Sequence, residues 1–159
     1  MVKLLFFGVG IGAVLIAAAL VLAKLSQTVP HPSYVRGPLP KCPDSPNCIS
    51  SENGGFEPIA IHYAGPELIW TELQKTITAQ GGQLAEVRPD YLWATFKTPF
   101  FGFIDDVEAR IDAEDHVIHL RSASRVGHYD FGANRKRLLN LKAQMQVSLN
   151  PSLLKNIHD

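Results

Sequence analysis

The densest chemistry in this 159-residue chain lies in Arg121-Ser122-Ala123-Ser124-Arg125-Val126-Gly127, continuing through Asp130, Gly132 and Asn134 to Arg135-Lys136-Arg137. Guanidinium groups, hydroxyls and an amide, in a stretch that passes from a strand through a loop into a helix, are the materials of an anion site. The helix amino terminus adds backbone donors and a partial positive charge. Arg121, Ser122, Ser124, Arg125, Asn134 and Arg135 are therefore the candidate ligand-binding residues, for a phosphate, a carboxylate or a lipid headgroup. The same residue types also build a buried polar lock. Asp105, Asp106 and Glu108 lie a short way upstream and form the expected charge network; if they pair with Arg121 and Arg125, no free positive site is left. Arg135, Lys136 and Arg137 read as a basic helix face, turned to solvent or to anionic headgroups.

Catalysis has weaker support. Asp105, Asp106 or Glu108 could act as general acid or base, with His119 or His128 nearby and Ser124 as a nucleophile. Strand alternation, however, puts Asp105 and Asp106 on opposite faces, and no nucleophile elbow is present, so no catalytic residue is assigned. His31, His62, His116, His119, His128 and His158 lack the i, i+4 spacing of a helical metal pair. No metal or cofactor is expected. Trp70 and Trp93 read as packing residues rather than stacking platforms.

The elements that must position these residues begin with an apolar helix. Leu4 to Ala23 is an unbroken run of apolar residues and glycine, long enough to cross a bilayer and followed at once by Lys24. Residues 1–25 are read as a membrane anchor or uncleaved signal; the alternative is cleavage after Val21-Leu22-Ala23, which would release a secreted protein. With 15 basic and 15 acidic side chains, no global charge argues for a nucleic-acid partner. The partners expected are the lipid bilayer, a protein in the same membrane, or an anionic small molecule. The simplest topology is a single pass through the inner membrane with the carboxy-terminal domain exported to a periplasmic or luminal space.

Residues 26–41 form a proline-rich tether or strap, in which Pro30, Pro32, Pro38 and Pro40 force an extended course. A single α+β domain follows over 42–159. Cys42 and Cys48 are the only cysteines, separated by Pro-Asp-Ser-Pro-Asn, and that compact turn can bring the thiols together as a disulfide in an oxidising compartment. Free thiols, or a metal site completed by His31 or His62, are the alternatives. Further on, strands are expected at 57–61, 83–87, 91–97, 103–112 and 116–122. A helix opens at Gly65-Pro66-Glu67 with Leu68, Ile69, Leu73 and Ile77 at helical spacing. A second starts at Phe131 or Gly132, carries Leu138, Leu141, Met145 and Leu149, and stops at Asn150-Pro151. The fold class is α+β: an antiparallel sheet of about five strands with two helices packed on one face, preceded by an N-terminal transmembrane helix.

Alternation then sets the register. Val107, Ala109 and Ile111 share the core face with Ile118 and Leu120, so Ile111 sits opposite Ile118 and Glu108 opposite Arg121. Asp105 falls on the apolar side and must find Arg125 or the first turn of the last helix, because an unpaired buried carboxylate costs several kcal/mol.

Three separated motifs, CPDSPNCISS, FFGFIDDVEARID and HLRSASRVGHYDFGANRKRL, resemble the signatures of the bacterial and plastid family known as domain of unknown function 1499. The resemblance covers most of the chain after the tether. It implies a shared domain core and carries no activity, substrate or cofactor onto these residues.

Overall fold

The structure, a computed structural model of the chain, describes residues 2–29, 34, 36–52, 55–61 and 65–149. His31, His62, His158 and the Asn150-Pro151 stop lie outside the described residues.

The apolar run forms α1, Val2–Thr28, which continues three residues past the boundary at 25 that composition suggests. Its described side chains are largely exposed, and Ala23 and Ser26 are the two buried ones. After the strap come β1 (Cys48–Ser50), β2 (Ile59–Ala60), α2 (Pro66–Ala79), β3 (Gln83–Val87), β4 (Tyr91–Lys97), β5 (Ile104–Asp112), β6 (Val117–Ser124) and α3 (Ala133–Leu149). Every strand pairing is antiparallel, in the order β1-β6-β5-β4-β3, and β2 also pairs with β6. The antiparallel sheet of about five strands is borne out, with five in the main order and β2 beside them, one more than the five spans read from the sequence. The extra one is β1, three residues directly after the cysteine loop, too short to leave an alternation in the sequence.

α2 has Pro66 in its first turn, where the missing N–H is no loss, and Glu67 beside the positive helix end. Ile69, Trp70, Leu73 and Ile77 form its buried face. Leu68 does not join them: it is 54% exposed, and Trp70 takes its place in the core. The helix ends at Ala79, shortly before Gly81 and Gly82, and a Cβ at Gly82 would lie 2.6 Å from Ile77 Cγ2 and 2.7 Å from Phe96 Cζ. That contact brings the helix end directly onto β4 and excludes any larger residue.

α3 starts at Ala133, just past the Phe131 or Gly132 expected, because Asp130 accepts hydrogen bonds from the Gly132 and Asn134 N–H groups and fixes the first turn. Leu138, Leu141 and Met145 are fully buried against the sheet. The side chain of Leu149 lies outside what is described. Between the two helices and the sheet lies one core, with Val107, Ala109, Ile118 and Leu120 on the central strands and Leu92, Ala94 and Phe96 beside them.

The register of the central hairpin follows the hydrophobic pattern: Ile111 faces Ile118 and Glu108 faces Arg121. The opposite face of the central strands is partly covered by the amino-terminal segment, which alternation alone could not reveal. Tyr34 of the strap stacks on Tyr91, with ring centroids 3.8 Å apart and planes at 6°. Leu39 is buried, and its N–H donates to Glu52 at 2.7 Å. Ala123, opposite Asp106 on the same face as Arg121, is only 6% exposed.

Candidate functional site

Successive residues of β5 point to opposite faces, and this divides the candidate residues into two clusters. The first is an inner lock between the sheet and α3. Asp105, Ser122 and Ser124 share this face. Ser122 donates to Asn134 Oδ1 at 2.6 Å, and Asn134 Nδ2 donates to Ser124 Oγ at 3.0 Å and to the Asn47 carbonyl at 2.9 Å. Arg137 donates to Asp105 at 2.7 Å, to Ser122 Oγ at 2.9 Å and to Asn134 Oδ1, with its guanidinium 4.7 Å from the Phe96 ring centroid. Asn134 is 1% exposed, so an amide that can donate two hydrogen bonds and accept others ties the sheet, α3 and the loop before β1 together.

The second cluster is an outer lattice on the other face, beneath the amino-terminal segment. Arg125 binds Asp106 with two parallel hydrogen bonds of 2.8 Å each. Its remaining terminal nitrogen donates to the carbonyls of Ser26 and Val29, at 3.3 and 3.1 Å. Those carbonyls lie at the carboxy end of α1, where a helix leaves acceptors unsatisfied and carries partial negative charge. Trp93 donates to Asp106 Oδ1 at 2.8 Å, and its ring centroid lies 5.8 Å from the Arg125 guanidinium. Ser26 Oγ accepts from the Ile104 N–H at 3.0 Å, and Gln27 donates to the Gly102 carbonyl at 3.1 Å.

Along the same face, Arg121 pairs with Glu108, which also accepts from Tyr91 at 3.0 Å. Arg110 binds Glu52 at 2.7 Å and Asp112 at 3.2 Å. Among the described residues, Arg121 Nε is buried without a hydrogen-bond partner. Burial and the neighbouring Glu108 carboxylate hold the Tyr91 phenol far above its ordinary pKa. Burial pulls Arg110 downward, but the hydrogen bond and charge of Glu52, with Asp112 behind it, outweigh that and hold it above its ordinary value. Asp112 is held below the ordinary carboxylate range, first by the Asp115 N–H and, against a smaller opposing effect of burial, by Arg110.

The six candidate ligand residues therefore do not converge on one cradle. Ser122, Ser124 and Asn134 are in the inner lock, Arg121 and Arg125 are in the outer lattice, and Arg135 is exposed, donating to the Gly55 carbonyl at 2.8 Å. Asp106 and Glu108 take up Arg125 and Arg121. Asp105 is held by neither Arg125 nor the first turn of α3 but by Arg137, the fifth residue of that helix. Arg137 thus leaves the basic face that Arg135 and Lys136 keep: it shares the sheet-facing side of α3 with Asn134, three residues before it, and its side chain reaches back to Asp105.

Asp105 and Asp106 point to opposite sides of the sheet, so the two carboxylates cannot serve one reacting atom. Ser124 is bonded to Asn134, while His128 is exposed. His119 meets Ser51 Oγ at 3.1 Å through Nδ1. Cys42 and Cys48 form a disulfide, with Cα atoms 5.5 Å apart. No group of three or more His, Cys, Asp or Glu side chains able to hold a metal occurs among the described residues.

Asn47, Glu52, Tyr91, Arg110 and Ser26 are the partners that residue types alone did not mark. Asn47 and Glu52 flank the short β1, and Tyr91 and Arg110 are revealed only by the pairing of β4 with β5. Residues 38–145 match the model of a family described as a protein of unknown function, DUF1499. No curated protein matches the chain. The matched span takes in the strand and helix residues of both clusters and excludes α1, whose end the outer lattice holds.

Proposed function

The chain belongs to the DUF1499 family, whose description assigns no function, and from that premise we propose that it is a membrane-anchored support and interaction module rather than an enzyme or a ligand receptor. The observation that carries this reading is the position of Arg125. Its guanidinium is divided between Asp106 and the carbonyls of Ser26 and Val29, so the residue best placed to bind an anion instead fastens the end of the apolar helix to the sheet. In this reading α1 is a single-pass anchor, and the domain is held at a defined height and orientation to meet a protein neighbour in the same membrane. An exported domain fits the Cys42–Cys48 disulfide, which persists in oxidising compartments.

Limited proteolysis and thermal unfolding of the full chain in detergent test the proposal. Arg125→Ala is expected to increase cleavage between residues 29 and 41 severalfold, and inorganic phosphate at millimolar concentration is expected to leave the wild-type unfolding temperature unchanged. A phosphate-dependent rise in that temperature, abolished by Arg125→Ala, would restore the anion-receptor reading in its place.

A further inference from the structure

The end of the sheet where α1 arrives carries all the exposed aromatic side chains among the described residues. Phe100 is 95% exposed and Phe101 41%, both in the β4–β5 loop; Tyr129 is 60% and Phe131 90% exposed, both in the β6–α3 loop. The strand register puts the two loops side by side, since Lys97 pairs with Ile104 and Asp105 with Ser124. The β5–β6 turn at the opposite end, residues 113–116, holds Ala-Glu-Asp-His. An apolar ring exposed to water costs free energy in proportion to its area, so four of them at one end need a cover.

Phe131 adds a second anomaly. It adopts φ 55°, a left-handed conformation that is strained for a large residue, yet its ring contributes nothing to the core. Gly132 follows at φ 77°. The strained turn projects the ring beside Tyr129, with centroids 5.1 Å apart in an edge-to-face arrangement.

We infer that these two loops are seated in the bilayer that holds α1, with Phe100, Phe101, Tyr129 and Phe131 lying at the level of the lipid headgroups. The inference rests on the anchor reading above and extends it. The apolar run of α1 ends at Ala23, and about 20 helical residues before it match the thickness of a hydrocarbon core. From Gly10 onward, Ala23 is also the first fully buried residue of the helix, so over those residues close contact with the rest of the chain starts where the apolar run stops. One turn later Gln27 binds the Gly102 carbonyl of the first aromatic loop, and Val29 binds Arg125 at the root of the second. No spacer separates the loops from the membrane surface. Aromatic rings are favoured at that depth, and Lys97 and Lys136, both exposed at this end, suit the phosphates there.

The test is bromine quenching of single added tryptophans in the full chain, reconstituted in phosphatidylcholine nanodiscs with and without brominated acyl chains near the headgroup. Phe100→Trp and Phe131→Trp are each expected to lose added emission in brominated discs, because aromatic rings settle at the headgroup level, while Glu114→Trp at the far end of the sheet loses none. Leu15→Trp, read in a second set of discs brominated at the middle of the acyl chains, reports the anchor itself. Quenching at Leu15 without quenching at Phe100 and Phe131 overturns the seating alone and leaves the loops as a surface for another protein. Absence of quenching at Leu15 overturns the anchor reading, and the seating with it.

Discussion

The inner lock and the outer lattice are built from alternate residues of the same β5–β6 hairpin, yet they fasten different things. The inner lock lies under α3 and joins elements of the domain to one another, with one ion pair among neutral partners. The outer lattice is a row of arginine–carboxylate pairs, and its cover is the amino-terminal segment: α1 at Arg125, Tyr34 at Tyr91, and Leu39 at Glu52. The burial of the charged side chains is similar, with Asp105 at 4% exposure and Glu108 at 1%. What differs is what must move before water can reach them. Lifting α3 would open the hydrophobic core at Leu138, Leu141 and Met145, whereas lifting the strap uncovers Leu39 and the stacked rings of Tyr34 and Tyr91, which lie outside that core.

The largest expected effect follows from that difference. Asp105→Ala removes the only carboxylate bonded to Arg137 among the described residues, whose guanidinium is wedged between the sheet and α3, and it should cost about 3–5 kcal/mol in denaturant unfolding of the full chain. Asp106→Ala removes a comparable pair from the outer lattice, but Arg125 can be hydrated once the strap lifts. A loss of only about 1–3 kcal/mol is expected, accompanied by cleavage in the strap before the domain unfolds. Equal losses with an intact strap would erase the distinction between the two clusters.

Next in size is the disulfide. Replacing Cys42 and Cys48 with serine frees a short loop and should cost about 2 kcal/mol by the chain-entropy argument. That loop delivers Asn47, whose carbonyl accepts from Asn134 Nδ2 and from the Ser124 N–H. The double serine change should therefore be non-additive with Asn134→Ala and additive with Asp106→Ala. Non-additivity with Asp106→Ala instead would place the disulfide on the outer side of the comparison.

Much of this was legible in residue order. The apolar run gave α1, and period-two alternation along 103–112 and 116–122 set the hairpin register and the Glu108–Arg121 pair, because one face of each strand is apolar. The α+β class followed from the same patterns. The division of the arginine-serine run was harder to read, since whether Ser122 or Arg121 meets α3 depends on which face the helix covers. Leu68 was misplaced because three helical positions can compete for a stripe when tryptophan is the larger neighbour. The cover over the outer lattice left no periodic signal: Tyr34 and Leu39 are isolated apolar residues among prolines, and only the folded chain brings them to Tyr91 and Glu52.

The smallest effect separates the two clusters by pH. Tyr91 belongs to the outer lattice, and its folded pKa is raised, first by burial and then by Glu108. A raised value means that its contribution to stability is complete below the ordinary tyrosine value of 10.0 and is lost as pH rises above it, because only the unfolded chain can then ionise freely. Tyr91→Phe removes one hydrogen bond to Glu108 and should cost about 1 kcal/mol near neutral pH. Above pH 10 the variant should lose stability less steeply than the wild type, and a late step in the phenolate absorbance should disappear. Tyr34→Ala, which uncovers the Tyr91 ring, should bring that step to lower pH while leaving the inner lock intact. A step unmoved by Tyr34→Ala would mean that the sheet, and not the strap, keeps water from the outer lattice.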